Sequence, residues 1–166
     1  PISFFGRQMG VETSIENGSD HDKDDHCYAM TVDKDLNTIC AGSTVGSFAE
    51  PKAGAMSDDI LVVKFDPQGK ILWARQLGDT TKVTNGVNTG TDKCLAVVTD
   101  DAGNIYCGGS TSANLSGTTY LGGDSDSVIV KLSKDGDLLW VKTIGTTHEE
   151  EISSMEIKGS ALYLGG

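Results

Sequence analysis

The chain has 166 residues, with 13 Lys+Arg against 24 Asp+Glu and a formal net charge of −11. No apolar run approaches the ~20 residues of a spanning helix, and so acidic a chain without a Lys/Arg cluster repels phosphate backbones. Membrane insertion and nucleic-acid binding are therefore not expected. Glycine supplies 21 residues, nearly double the usual share of ~7%, and Ala/Leu/Glu/Lys-rich helical stretches are missing, so the composition points to an all-β chain of strands and tight turns.

In chain order, the first strand-like run is Ile2 to Met9 in PISFFGRQMG. It aligns without gaps to GKILWARQLG at 69–78 and to GDLLWVKTIG at 136–145. An acidic stretch follows, in which Asp20, Asp22 and Asp24 stand at the 1, 3 and 5 spacing of a calcium loop. Positions 6 and 12 of that loop would be Asp25 and Thr31 where Gly and Glu are needed, so a solvated acidic loop competes with a calcium site. Next come four short runs rich in β-branched or aromatic residues, Cys27 to Val32, Thr38 to Ser43, Ile60 to Phe65 and Ile71 to Leu77, which read as strands. DKDLN joins the first two and DPQGK the last two. Pro presetting φ and Gly accepting positive φ are hairpin chemistry, so the unit is a four-stranded antiparallel meander.

The same unit then recurs. DHCYAMTVDKDLNTICAGST at 25–44 aligns to DKCLAVVTDDAGNIYCGGST at 92–111, and SDDILVVKFDPQGK from Ser57 to SDSVIVKLSKDGD from Ser125. A third copy starts at EISSMEIKGSALYLGG, residues 151–166. Such a meander buries both faces only by stacking on its neighbours, which is the β-propeller solution. The apolar runs ILVVKF and VIVKL suit strands covered on both faces. The boundaries predicted are an outer strand of a preceding blade at 1–10, full blades at 25–78 and 92–145, and the inner half of a further blade at 150–166. Pro1 and the closing Leu164-Gly165-Gly166 both fall where a longer polypeptide would be cut.

The blocks DxxxxAxxxDxxGNxYxxGST and GxxDSxxVKLxxDGxLLW and the W-x-K/R-x-L/I-G ending resemble the SBBP-type β-propeller repeats of large secreted and surface proteins. The resemblance implies a partial propeller of about two and a half repeats. The first copy departs from it at Leu36, where the second has Gly103, and the third is one residue shorter at Lys158-Gly159.

Several residues could carry chemistry. Cys27 shares a column with Cys94, and Cys40 with Cys107, but Ile152 and Leu164 stand there in the third copy. That substitution treats Cys as a small buried hydrophobe, so four free core thiols are expected. Disulfides within each blade and a four-Cys metal site are the alternatives, the latter disfavoured because zinc pairs are usually two to four residues apart. The columns Arg7/Arg75/Lys142 and Lys64/Lys131 are cationic, while Asp25/Asp92/Glu150 and Asp58/Asp126 are acidic, suggesting a repeated ion pair whose partners are open. Phe5, Trp73 and Trp140 share a column that reads as an inter-blade anchor. His21, His26 and His148 have no shared column and read as surface residues. Asn17 and Asn114 each head an Asn-X-Ser glycosylation pattern.

No hydrolase, metalloprotease or nucleotide-binding motif is present. The expected function is a non-enzymatic structural or protein-binding module without a cofactor, unless calcium is one. Its expected neighbours are remaining blades or other subunits, in an extracellular, surface or lumenal setting. The competing class is a propeller enzyme, a lyase or hydrolase, with its active site in blades outside this chain.

Overall fold

The computed structural model describes residues 25–46, 48, 57–78, 83–84, 87–88 and 90–166. The expected outer strand at 1–10, Asp20, Asp22, Asp24, His21 and Asn17 lie outside the described residues.

No helix occurs among the described residues. The first sheet joins β1 (Asp25–Val32), β2 (Thr38–Thr44), β3 (Asp59–Phe65) and β4 (Ile71–Leu77) in sequential order, every pair antiparallel. Two short strands, β5 (Val83–Thr84) and β6 (Val87–Asn88), pair with each other. The second sheet repeats the first with β7 (Asp92–Thr99), β8 (Ile105–Thr111), β9 (Asp126–Leu132) and β10 (Leu138–Ile144). A final hairpin pairs β11 (Ser154–Lys158) with β12 (Ala161–Gly165).

The sheets stack face to face. Ile39, Ala41, Ile60 and Val62 of the first share one buried cluster with Cys94, Val97, Ile105, Cys107, Val128, Val130 and Leu132 of the second. Each such aliphatic side chain stabilises the stack by roughly 1.5–3 kcal/mol on full burial. On the opposite face of the first sheet Cys40, Leu61, Val63 and Phe65 form a second cluster. Every residue of β3 is buried, which accounts for its apolar run without alternation. Backbone bonds stitch successive sheets at the entry of each first strand: Asp92 N donates to Asp58 O at 2.8 Å, and Glu150 N to Ser125 O at 2.9 Å.

A β-bulge falls in the first strand of both blades, between Cys27 and Ala29 and between Cys94 and Ala96. Opposite it stand Gly42 and Gly109, where a Cβ would lie 1.8 Å from His26 O and 1.9 Å from Lys93 O. Gly166 meets Glu151 O in the same way, at 1.8 Å, so the third unit carries the same close approach.

The expectation of four free thiols is overturned. Cys27 is bonded to Cys40 and Cys94 to Cys107, and no cysteine is free. Cys27 pairs with Gly42 across the ladder, and Cys94 with Gly109, so each sulfur reaches two residues along the partner strand, on the same face, past a glycine without a side chain. Each bridge closes a separation of 13 residues, a loop for which cross-linking stabilises by about 3 kcal/mol.

The departure at Leu36 has a cost. Its φ is +62°, the left-handed conformation that Gly103 adopts at +81° in the second copy. Leu36 is 68% exposed, so little packing offsets the steric penalty of its Cβ. Leu36→Gly should raise stability by about 1 kcal/mol, whereas Gly109→Ala should lower it by roughly 2–4 kcal/mol because backbone would have to move. Urea unfolding of both variants checks the pair.

Candidate functional site

Three polar residues form a row across the first three strands of each blade. Asp25 faces Thr44 and Thr44 faces Asp59; in the second blade the row is Asp92, Thr111 and Asp126. Thr44 Oγ1 donates to Asp25 Oδ1, and Thr111 Oγ1 to Asp92 Oδ1, each at 2.5 Å. Thr44, Asp59, Asp92, Thr111 and Asp126 are all buried. Asp59 Oδ2 accepts from Gln76 Nε2 at 2.8 Å, and Asp126 Oδ2 from Leu121 N at 2.5 Å. A Cβ on Gly78 or Gly145 would run into the Asp59 or Asp126 carboxylate, at 2.1 and 2.2 Å. These glycines close the blade repeat because a buried carboxylate occupies the space beside them. The acidic column on the third strand is thus Asp59/Asp126, a correction of Asp58/Asp126: a one-residue offset moves a side chain to the other face of a strand.

The repeated ion pair is present, and its acidic partner is one the sequence reading missed. Lys64 Nζ lies 2.9 Å from Asp33 Oδ2, with both side chains buried, and Lys131 lies 4.0 Å from Asp100. Asp33 and Asp100 are the first residues of the DKDLN and DDAGN turns. Each also accepts turn amides: Asp33 Oδ1 from Asp35 N and Asn37 N, Asp100 Oδ1 from Ala102 N and Asn104 N. Burial pushes the Asp33 carboxyl up, but hydrogen bonds from Asn37 and Lys64 outweigh it and hold the group below its ordinary range. At Asp100 burial is likewise outweighed, by Asn104 and Tyr106 with the charge of Lys131. The signal was the recurrence of Asp and Asn four residues apart in both turns.

Glu150 keeps backbone register with Asp92, but its carboxylate turns to Thr146, whose hydroxyl and amide hold it below its usual range. His26 and His148 are exposed; His26 stacks on Tyr28 at 5.3 Å. Asn114 is exposed, with its Oδ1 accepting Tyr120 N at 2.8 Å.

One cleft of about 500 Å³ opens beside the first strands, lined in part by Tyr28, Lys93, Asp124, Glu149 and Glu151. Lys93, the one cation among its described lining residues, stands 3.7 Å from Asp58. Among the described residues no group of three or more His, Cys, Asp or Glu is placed to hold a metal ion, and no helix is long and apolar enough to cross a membrane.

Four-stranded meanders that stack face to face, each entering beside the last, define a β-propeller segment. Residues 72–116 match the family model described as SBBP, beta-propeller repeat. The matched stretch runs from β4 of one blade through β8 of the next. No curated protein matches the chain at a significant level.

Thr111→Val keeps the shape but strips Asp92 Oδ1 of its hydroxyl donor and Ala113 N of its acceptor. The expected loss is about 2 kcal/mol, read by urea unfolding. The depressed carboxyls give a pH dependence of known sign. Stability from Asp33 and Asp100 is fully present above their ordinary value of 3.8 and fades as pH falls through their lower folded values. Below pH ~4 the unfolding midpoint should therefore fall, and less steeply in Asp33→Asn/Asp100→Asn than in the parent.

Proposed function

We propose that the chain is a non-enzymatic β-propeller segment, a structural or protein-binding module of a larger secreted, surface or lumenal protein or assembly. Further blades of the same polypeptide or other subunits are its neighbours, and it needs no cofactor. The observation that carries this reading is the fate of the recurring polar residues. Asp59, Asp92, Asp126, Thr111, Lys64 and Asp33 are buried within blades and fix register. None of them lines the cleft beside the first strands, whose Lys93 already faces a carboxylate, and Lys64 and Asp33, which border a second cleft of about 400 Å³, are committed to each other. Intra-blade disulfides in both full blades suit an oxidising compartment, and the long loops between second and third strands offer the variable surface a binding module uses.

The test uses the native polypeptide. Alkylation under denaturing, non-reducing conditions should label none of the four cysteines, and the intact mass should exceed the 17.4 kDa of this chain. Four labelled thiols would overturn the lumenal or extracellular setting. Turnover of polysaccharide or ester substrates that is lost in Lys93→Ala would overturn the non-enzymatic reading in favour of a propeller lyase or hydrolase.

A further inference from the structure

The two full blades are gripped together by one set of side chains and one turn. Trp73 Nε1 and Lys64 Nζ both donate to Lys134 O, at 3.1 and 3.2 Å, and Arg75 Nε donates to Gly136 O at 2.6 Å. Gly136 has φ +90°, and a Cβ there would stand 2.9 Å from the Trp73 ring, so the indole covers a bare glycine. The turn also shields the lysine pair: the Lys64 and Asp33 side chains are only 6% and 3% exposed.

The second blade carries the same set as Lys131, Trp140 and Lys142, with Asp100 in the place of Asp33. No turn among the described residues is seated on it. Among the described residues Trp140 Nε1 donates to no acceptor; its ring meets Tyr106 edge-on at 6.1 Å and the Lys142 ammonium at 5.4 Å. Lys131 sits 4.7 Å over the Tyr106 ring and 4.0 Å from Asp100, and those two side chains are 19% and 22% exposed. Donor chemistry, strand position and spacing match the engaged set, while the ion pair is longer and wetter.

We propose that Trp140, Lys131 and Lys142 are a receptor for a glycine-bearing β-turn of a further repeat blade, the turn offering two carbonyls two residues apart as 133–137 does. The ammonium and indole groups need carbonyl acceptors, and the flat indole needs a residue without Cβ, so a turn of the Ser-Lys-Asp-Gly-Asp kind fits and a β-branched loop does not. The proposal rests on the reading that further blades neighbour this segment.

The experiment completes the third blade. Gly166 makes the close approach to Glu151 that Gly109 makes to Lys93, so a copy of residues 110–145 appended after Gly166 continues in register. With the copied tryptophan changed to phenylalanine, hydrogen exchange of the two remaining indole N–H groups is followed by NMR. In the 166-residue chain Trp73 should exchange slowly and Trp140 fast. In the extended chain Trp140 should slow on the order of tenfold, and alanine at the glycine of the copied turn should restore fast exchange at Trp140 alone. If the added strands are protected but Trp140 stays fast, or the alanine has no effect, the receptor is refuted while the blade reading stands. If the added strands gain no protection, the blade reading fails and the receptor with it. Slow exchange of Trp140 already in the 166-residue chain also overturns the assignment, and slowing that grows with protein concentration would make a second copy of the chain the occupant.

Discussion

A sheet whose middle strands are apolar on both faces is stable only as the filling between two others. In this chain β3 is buried along its whole length, and β9 is buried except at Lys131. From that one constraint the rest follows. The glycines at 42 and 109 give the backbone room to bulge, Gly108 leaves space for Ile152 and Met155 of the next unit, and the buried ammonium of Lys64 is paired within the dry layer. Its partner is Asp33, and removing either of the two would strand a charge where water cannot reach it.

Much of this was legible in the sequence because period and turn chemistry are local. The strand runs, the Gly-containing turns and the recurrence of the whole unit led to antiparallel meanders, and the two sheets have that topology. Trp73, read as an inter-blade anchor, does meet the next blade through Lys134 and Gly136. Ile152 and Leu164 in the cysteine columns suggest thiols that act as hydrophobes, yet both members of a column pair are lost together, which is what a bond between them requires. The offset between Asp58 and Asp59 is readable from Lys64 and Lys131, whose spacing of 67 residues sets Asp126 against Asp59, but adjacent aspartates look alike in a string. The partner of Lys64 lay hidden in a turn, where Asp33 already has an obvious local role in binding amides.

The candidate site was less legible than the fold. A catalytic constellation announces itself through residue types at fixed spacing, whereas a binding surface is distributed over loops whose sequences differ between the copies. The row Asp92–Thr111–Asp126 looks chemically suggestive until burial and neighbours are considered: the threonine hydroxyl is committed to Asp92, and Asp126 receives Leu121 N beside Gly145.

The stretch that matches the repeat family, residues 72–116, ends one sheet and begins the next. The stretch that the family model matches is therefore out of phase with the sheet that folds. A duplication in that phase copies a junction instead of a blade, so each added segment arrives already holding both halves of a compatible contact. Arrays built this way can lengthen or shorten by whole segments without inventing a new interface, and selection remains free to act on the loops between the second and third strands.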